Sequence, residues 1–338
     1  MHSTRSTRFF GPVMSRRGAL AFAAATAPAL LAGCAASQPG DGKTEGKDAG
    51  SKKIKVIASF YSMYDFASKI AGDRAEVSCL VPSGTEPHDW EPSTTDLKSL
   101  EEADVLVYNG AGMEHWVEDT LKGLSNDKLV VVEASQDVKL LELSAEAMEH
   151  EEHEHEGHDH DHDHGSTDPH CWLAPSNAAI EMKNICEGLI KADPEGKETY
   201  QANFEKWEKE CVSLDGEYFK RLEALPGRTI VVSHEAFGYL CSQYGLTQMA
   251  IEGIEADSEP DAQKMAEIVE FVKKNNVKVI FTEELVSPKV AQSIAEASGA
   301  TVEELNPLEG LSEEDIAAGK DYFSVMRSNL DALEKALA

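Results

Sequence analysis

Eight short runs rich in β-branched residues, separated from one another by roughly a helix length, constrain this fold most strongly. Such alternation is typical of parallel sheets whose strands are joined by crossover helices. Four runs lie in each half of the chain, and the predicted strands are 54–59, 75–81, 104–108, 128–133, 229–233, 247–251, 277–282 and 301–305. The sequence therefore predicts an α/β protein with two lobes, each with a four-stranded parallel sheet flanked by helices.

A long helical zone separates the two groups of strands. Its one plausible interruption is Asp193-Pro194, because proline disfavours helix at the residue before it. Beyond it, a stiff linking helix is predicted, with a kink near Asp215-Gly216 as the alternative. One further helix is expected from Ser312. The predicted segments are an N-terminal α/β lobe (54–194), the linking helix (195–225) and a C-terminal α/β lobe (226–338).

The start of the chain predicts export. Arg16 and Arg17 precede a short apolar run, which ends at Leu31-Ala32-Gly33-Cys34, a pattern that resembles a bacterial lipobox. The paired arginines fit a twin-arginine signal as well as an ordinary export signal. We expect an export signal over 1–33, lipidation of Cys34, and a flexible tether over 34–53. The mature protein would then be held by its lipid at the outer face of the cytoplasmic membrane, extracellular or periplasmic.

Charge and cysteine content exclude several classes of function. The formal net charge is −30, from 31 basic and 61 acidic residues, so the chain repels nucleic acid and attracts cations. No nucleic-acid partner is therefore expected. The five cysteines after Cys34 are odd in number and lack C-x-x-C spacing, which disfavours a structural zinc knuckle. A Cys186–Cys241 disulfide stays open.

Three histidines stand at positions suited to a shared site. His88 lies shortly after the predicted strand 75–81, and His234 directly follows the strand 229–233 in the other lobe. Open α/β sheets bind ligands beyond the carboxyl ends of their strands, so both are expected to face the cleft between the lobes. His170 lies in a proline-restricted turn. Because neutral imidazole is the commonest metal ligand in proteins, the three predict a metal site.

A fourth ligand is expected from the second lobe. Glu309 lies just past the last predicted strand, and Glu283 and Glu284 end the preceding strand, so all three are candidates. Three nitrogens and one carboxylate oxygen suit tetrahedral zinc. Harder metals such as Mn²⁺ prefer a shell richer in oxygen and are therefore less favoured.

Four segments around these residues resemble a known family. They are Pro87-His88, Asp168-Pro169-His170-Cys171-Trp172-Leu173, His234-Glu235-Ala236-Phe237-Gly238-Tyr239 and Asn306-Pro307-Leu308-Glu309. They look like those of zinc-specific substrate-binding proteins of ABC importers, the metal-binding class with a rigid helix between its lobes. The resemblance begins near Lys52 and runs to the C-terminus.

The resemblance carries expectations for the site and for the partners. It implies that His88, His170 and His234 coordinate one Zn²⁺, with Glu309 as the fourth ligand, although some members use water or another acid there. It also implies capture of zinc for an ABC permease and its ATPase subunit. The chain has no G-x-x-x-x-G-K-[ST] motif of its own, so the energy source would lie on another chain. We expect a monomeric binding protein and not an enzyme.

Histidine alternates with acid over 149–164, within a predicted mobile loop spanning 149–166. The segment is predicted to collect zinc at several weak sites, and a solvated acidic loop without a metal role is the alternative. Its seven histidines are His150, His153, His155, His158, His160, His162 and His164. We thus expect one tight zinc site and several weak ones.

Two other functions remain in competition on the sequence alone. A zinc-dependent hydrolase also uses three histidines, with water in the fourth position. His234-Glu235 begins like the H-E-x-x-H motif of such enzymes, but Gly238 stands where the second histidine would be. The other competing function is an extracellular metal buffer or adhesin that serves no transporter.

Overall fold

Two four-stranded parallel sheets confirm the predicted fold class. The computed structural model describes residues 53–143, 167–254 and 260–338. Each observed strand lies within its predicted run. The strands are β1 (Ile54–Ala58), β2 (Ala75–Cys79), β3 (Val105–Tyr108) and β4 (Val130–Glu133) in the first sheet, and β5 (Thr229–Val232), β6 (Thr247–Ala250), β7 (Val279–Thr282) and β8 (Thr301–Glu304) in the second.

Helices connect and cover these strands. In the described ranges they are α1 (Tyr61–Ala71), α2 (Thr94–Glu101), α3 (Val117–Gly123), α4 (Pro175–Ala192), α5 (Lys197–Leu222), α6 (Gly238–Tyr244), α7 (Ala262–Lys274), α8 (Lys289–Ser298), α9 (Glu313–Ala317) and α10 (Tyr322–Leu337). The single helix expected from Ser312 is instead two helices. Gly319 lies between them with φ +81°, a left-handed conformation that ends the first.

The long helix between the lobes is continuous. A short 3-10 turn at Pro194–Gly196 separates α4 from α5, as the proline predicts. Helix α5 then runs 26 residues, about 39 Å at 1.5 Å per residue, without a break at Asp215 or Gly216. The alternative of two helices meeting there is wrong, because one helix includes both residues, while the lobe boundaries at 194 and 226 stay predictions.

Both sheets have the same strand order, β2-β1-β3-β4 and β6-β5-β7-β8. The first strand of each lobe therefore lies between the second and the third, and the chain reverses its direction of winding there. Such a switch opens a crevice at the carboxyl ends of the two central strands, where α/β sheets bind ligands. The topology predicts functional groups beyond β1 and β3 in one lobe, and beyond β5 and β7 in the other.

One apolar core extends through both lobes. It includes Phe60 and Trp172 from the first lobe and Phe237, Leu308 and Tyr322 from the second, all almost fully buried. Shared burial of this kind resists separation of the lobes, because opening them would expose apolar surface to water. None of the helices within the described ranges is both long and apolar enough to cross a bilayer.

The five cysteines after Cys34 are free thiols in the structure. The open possibility of a Cys186–Cys241 disulfide is therefore not realised. Burial raises the pKa of the Cys186 thiol to about 11, which disfavours the reactive thiolate.

Candidate metal centre

His234 lies at the switch point of the second lobe, two residues beyond the end of β5. It is fully buried. Its Nδ1 is 2.7 Å from Glu283 Oε1, and its backbone N–H donates to the same oxygen at 3.2 Å. Glu283 directly follows β7, the neighbouring strand, so the sheet itself places the pair together. With Nδ1 held by the carboxylate, Nε2 is left to face the cleft.

Glu283 and Glu284 were candidates for the fourth metal ligand, and the structure assigns them other contacts. Glu283 contacts Nδ1 of His234, on the side of the ring away from the other donors, and Glu284 Oε2 lies 3.4 Å from the Asn306 side-chain amide. Neither belongs to the group of converging donors.

His170 is held in a similar way by its own turn. Asp168 Oδ1 lies 2.9 Å from both the backbone nitrogen and Nδ1 of His170. The side-chain amide of Asn109, just beyond β3, donates to the Pro169 carbonyl at 2.9 Å and ties the turn to the first sheet. The Asp-Pro-His turn therefore directs Nε2 of the fully buried imidazole towards the lobe interface.

His88 comes from the loop that follows β2. Its backbone N–H donates to Glu86 Oε2 at 2.9 Å, which closes a tight turn around Pro87. The ring is buried and stacks at a tilt against His170, with 5.2 Å between ring centroids. The loop thus places the third imidazole beside the other two.

Four donor atoms converge, and they belong to the four residues that the sequence singled out: His88, His170, His234 and Glu309. Glu309 Oε1 lies 3.1 Å from Nε2 of His170 and of His234, and 3.6 Å from Nε2 of His88. Nε2 of His170 lies 3.2 Å from that of His88 and 3.4 Å from that of His234.

These spacings match the shape of a zinc site. A regular tetrahedron with metal–ligand bonds of about 2.0–2.1 Å has edges of about 3.3–3.4 Å. The five measured separations between donor atoms, from 3.1 to 3.6 Å, bracket that length. Five of the six distances between the donor atoms therefore suit one tetrahedral ion.

The acidic and basic side chains of this cluster shift one another's pKa values. Burial lowers the pKa of His88, but the Glu309 and Glu86 carboxylates outweigh it and raise that pKa to about 9. For His234 burial acts in the same direction, and Glu283 with Glu309 raises the pKa well above its usual value. Burial would raise the pKa of Glu309, yet the adjacent histidines hold it well below its usual range. Protons therefore compete with a metal cation for these side chains.

Three supporting acids were not assigned a role from the sequence: Asp168, Glu86 and Glu114. An aspartate side chain often accepts a hydrogen bond from the backbone two residues further on in a turn, so the sequence could have indicated the role of Asp168. Glu114 had no such signal. Glu114 is partly buried, and its carboxylate accepts from Ser59 Oγ at 2.6 Å and from the backbone nitrogens of Asn109 and Gly110 at 2.8 and 2.9 Å.

Other predicted functional residues fall outside the described ranges. These are Cys34, the export signal and tether, and the seven histidines of the His-rich segment. Their roles stay predictions.

Proteins similar to this chain are named for zinc, the metal that suits the site. The family described as "ZnuA: Zinc-uptake complex component A periplasmic" matches residues 56–336. The high-affinity zinc uptake system protein ZnuA of Bacillus subtilis (strain 168) is 41% identical over 309 residues, 91% of this chain and 94% of that protein. The zinc-binding lipoprotein AdcA of Streptococcus pneumoniae (strain ATCC BAA-255 / R6) is 37% identical over 284 residues, 84% of this chain but 56% of that longer protein.

A solved structure shares the fold. The crystal structure of the Zn(II)-bound ZnuA-like domain of Streptococcus pneumoniae AdcA is similar with a TM-score of 0.72 at 36% identity, and the match covers 84% of this chain and 99% of that one. The family consists of transport components that are not enzymes, so the prediction that the chain has no enzymatic activity is confirmed. Its fold, its site geometry and the extent of these matches place the chain in the ZnuA family of zinc-uptake binding proteins.

Proposed function

We propose that the chain captures a single Zn²⁺ between its lobes and delivers it to an ABC permease. Nε2 of His88, His170 and His234 and Oε1 of Glu309 are the proposed ligand atoms. The observation that carries this proposal is the set of donor separations, which matches the edges of a zinc tetrahedron.

The buried acids around the cluster suit capture rather than catalysis. Asp168 and Glu283 hold the Nδ1 atoms of two ligand histidines, which keeps their Nε2 atoms available as ligands and makes them more basic. Four protein donors leave no open position at which a tetrahedral zinc ion would activate water. This argues against the hydrolase alternative and for a cargo that is bound whole.

Delivery requires a partner that supplies the energy. We propose a permease with a separate ATPase subunit as that partner, and a monomeric binding protein held near it by lipid on Cys34. The name of the pneumococcal relative, a lipoprotein, supports the anchor for this chain. A buffer or adhesin would not need the permease, so zinc import by a deletion strain supplied with this protein distinguishes the two functions.

Metal analysis of purified variants tests the ligand set. Alanine at His88, His170 or His234 should abolish the tight site, and His115→Ala is the control because His115 lies outside the converging donors. Loss of one of four ligands should weaken binding by more than about a hundredfold, beyond what outer contacts contribute. Stoichiometric tight zinc in any of the three variants would contradict the proposed set.

We further propose that the His-rich segment binds zinc weakly. Deletion of 149–164 should leave the tight site intact and remove several weak sites from a zinc titration. Because imidazole titrates near pH 6.5 and only its neutral form binds metal, the weak binding should fade in mild acid. Unchanged weak binding in the deletion variant would mean that the segment is only a solvated acidic loop.

A further inference from the structure

The segment that carries Glu309 is held by the opposite lobe. Three side chains of the first lobe donate hydrogen bonds to its backbone carbonyls. Trp172 Nε1 donates to the Pro307 carbonyl at 2.7 Å, and Ser62 Oγ, at the start of α1, donates to the Leu308 carbonyl at 2.7 Å. Ser83 Oγ, after β2, donates to the Leu311 carbonyl. The two carbonyls nearest Glu309 on its N-terminal side thus depend on the first lobe.

The backbone beside Glu309 also adopts an unusual conformation. Leu308 has φ +61°, a left-handed geometry that a branched residue rarely adopts. Its N–H donates to Asn306 Oδ1 at 2.8 Å, and its side chain is fully buried in the shared core. Such geometry persists only where surrounding contacts hold it, and here the Ser62 hydroxyl supplies one of them from the other lobe.

We propose that Ser62, Ser83 and Trp172 form an interlobe clamp that positions Glu309 for the metal. This rests on the proposed function, because it assigns to Glu309 the role of fourth ligand. The clamp makes docking of the lobes and completion of the metal site one event. When the lobes separate, the three hydrogen bonds break, Leu308 relaxes towards ordinary backbone geometry, and Glu309 leaves the site while the three histidines retain their own carboxylate or turn contacts.

A general structural support would affect the whole metal site, whereas the clamp affects the position of Glu309. It acts on one ligand of four, so its loss should lower the coordination that the protein supplies from four to three. Co²⁺ reports this, because its visible absorption bands depend on the identity and arrangement of its ligands, and replacement of the Glu309 carboxylate by water changes both. The three clamp residues are positioning residues, since none of their side chains belongs to the converging donors.

Zinc dissociation into excess chelator tests the clamp in the full chain. Ser62→Ala should release zinc about tenfold faster and the exposed Ser83→Ala about threefold faster, with the visible Co²⁺ spectrum changed in both. Ser83→Thr, which keeps the hydroxyl, should restore the parent rate. Ser99→Ala is the matched control, because Ser99 Oγ makes the same kind of bond to a carbonyl, that of Thr95, within α2 of the same lobe.

Combining the serine substitutions with Glu309→Gln separates the test of the clamp from the test of the proposed ligand set. If the clamp acts through Glu309, Ser62→Ala and Ser83→Ala should have no further effect on the release rate there. Equal acceleration in both backgrounds, or parent-like rates in the two serine variants, would overturn the clamp while leaving the ligand set in place. Parent-like zinc release from Glu309→Gln alone would instead contradict the proposed function and the clamp with it. Ser83→Ala keeps the test valid if the buried Ser62→Ala does not fold.

Discussion

The two lobes share one strand order but hold their ligand histidines by different means. In the second lobe, His234 and its partner Glu283 lie 49 residues apart and meet because β5 and β7 are neighbours. In the first lobe, His170 and its partner Asp168 are two residues apart within one turn. Both imidazoles nevertheless receive the same contact, a carboxylate that accepts from Nδ1 and from the backbone nitrogen.

The difference shows that a common topology does not dictate where a ligand originates. At the first lobe's switch point, β1 and β3 are followed by Ser59 and Asn109, which carry no metal ligand. They instead bind the partly buried Glu114 and the His170 turn through hydrogen bonds. The second lobe delivers its histidine directly from a strand end, whereas the first lobe uses the equivalent place to support a loop.

The largest difference in zinc affinity between the lobes should come from changing the carboxylates that contact the Nδ1 atoms of His234 and His170. Glu283→Gln should weaken zinc binding by about a hundredfold and Asp168→Asn by about tenfold. The smaller loss is expected because Asn109 and the Tyr239 hydroxyl, which donates to the Asp168 carbonyl at 2.8 Å, still hold the turn. Competition with a zinc chelator measures both, with the exposed Glu304→Gln as control. Equal losses would remove the distinction between the lobes.

Proton release on metal binding should be carried largely by one histidine from each lobe. The pKa of His88 is raised to about 9 and that of His234 is raised well above its usual value, so protons compete with zinc at both imidazoles. Zinc must displace those protons, and its affinity should rise about tenfold per pH unit for each proton released, until the pH passes about 9. Calorimetry in two buffers of different ionisation enthalpy counts the protons. An affinity independent of pH between 7 and 9 would contradict this.

The sequence predicted the strands and the converging donor residues better than the contacts that hold those residues in place. All eight strands were visible because β-branched runs leave a local signal. His88, His170, His234 and Glu309 stood out because each follows a strand or a rigid turn. Glu283 was weighed as a ligand, since sequence does not reveal whether a carboxylate at a strand end meets the metal or the Nδ1 atom of a neighbouring imidazole.

Glu114 shows why such contacts escape prediction. Its role depends on the Ser59 hydroxyl, 55 residues away, and on two backbone N–H groups whose direction only the folded turn defines. The end of α9 is a smaller example. A glycine in a polar stretch gave too weak a signal to divide the helix predicted from Ser312.

Glu114 should make the first lobe sensitive to pH. Burial raises its pKa to about 7, against the hydrogen bonds from Ser59, Asn109 and Gly110 that lower it. The folded protein therefore holds this proton more tightly than the unfolded chain, whose carboxyl titrates near 4.5. Its contribution to stability is present below pH 4.5 and is lost as the pH rises to about 7, with a slope of up to about 1.4 kcal/mol per pH unit.

Urea unfolding of the metal-free protein between pH 4.5 and 7 measures that contribution. Glu114→Gln should flatten the decline relative to the parent, since glutamine does not titrate. Glu118→Gln, which changes an exposed acid on α3, should leave the profile unchanged. A variant profile parallel to that of the parent would show that Glu114 is ionised throughout.

The smallest effect concerns α5, which joins the lobes and is predicted to be stiff. Gly216 lies on its exposed face with open space where a Cβ would stand, so Gly216→Ala should increase the free energy of unfolding by roughly 0.5–1 kcal/mol. Gly84→Ala is the matched control: its Cβ also meets open space, but its φ of +77° strains alanine and should destabilise the fold. Zinc affinity should be unchanged by Gly216→Ala, because a helix that is already continuous gains no new geometry. A change in affinity would mean that the lobes pivot about a bend near Gly216 when they bind metal.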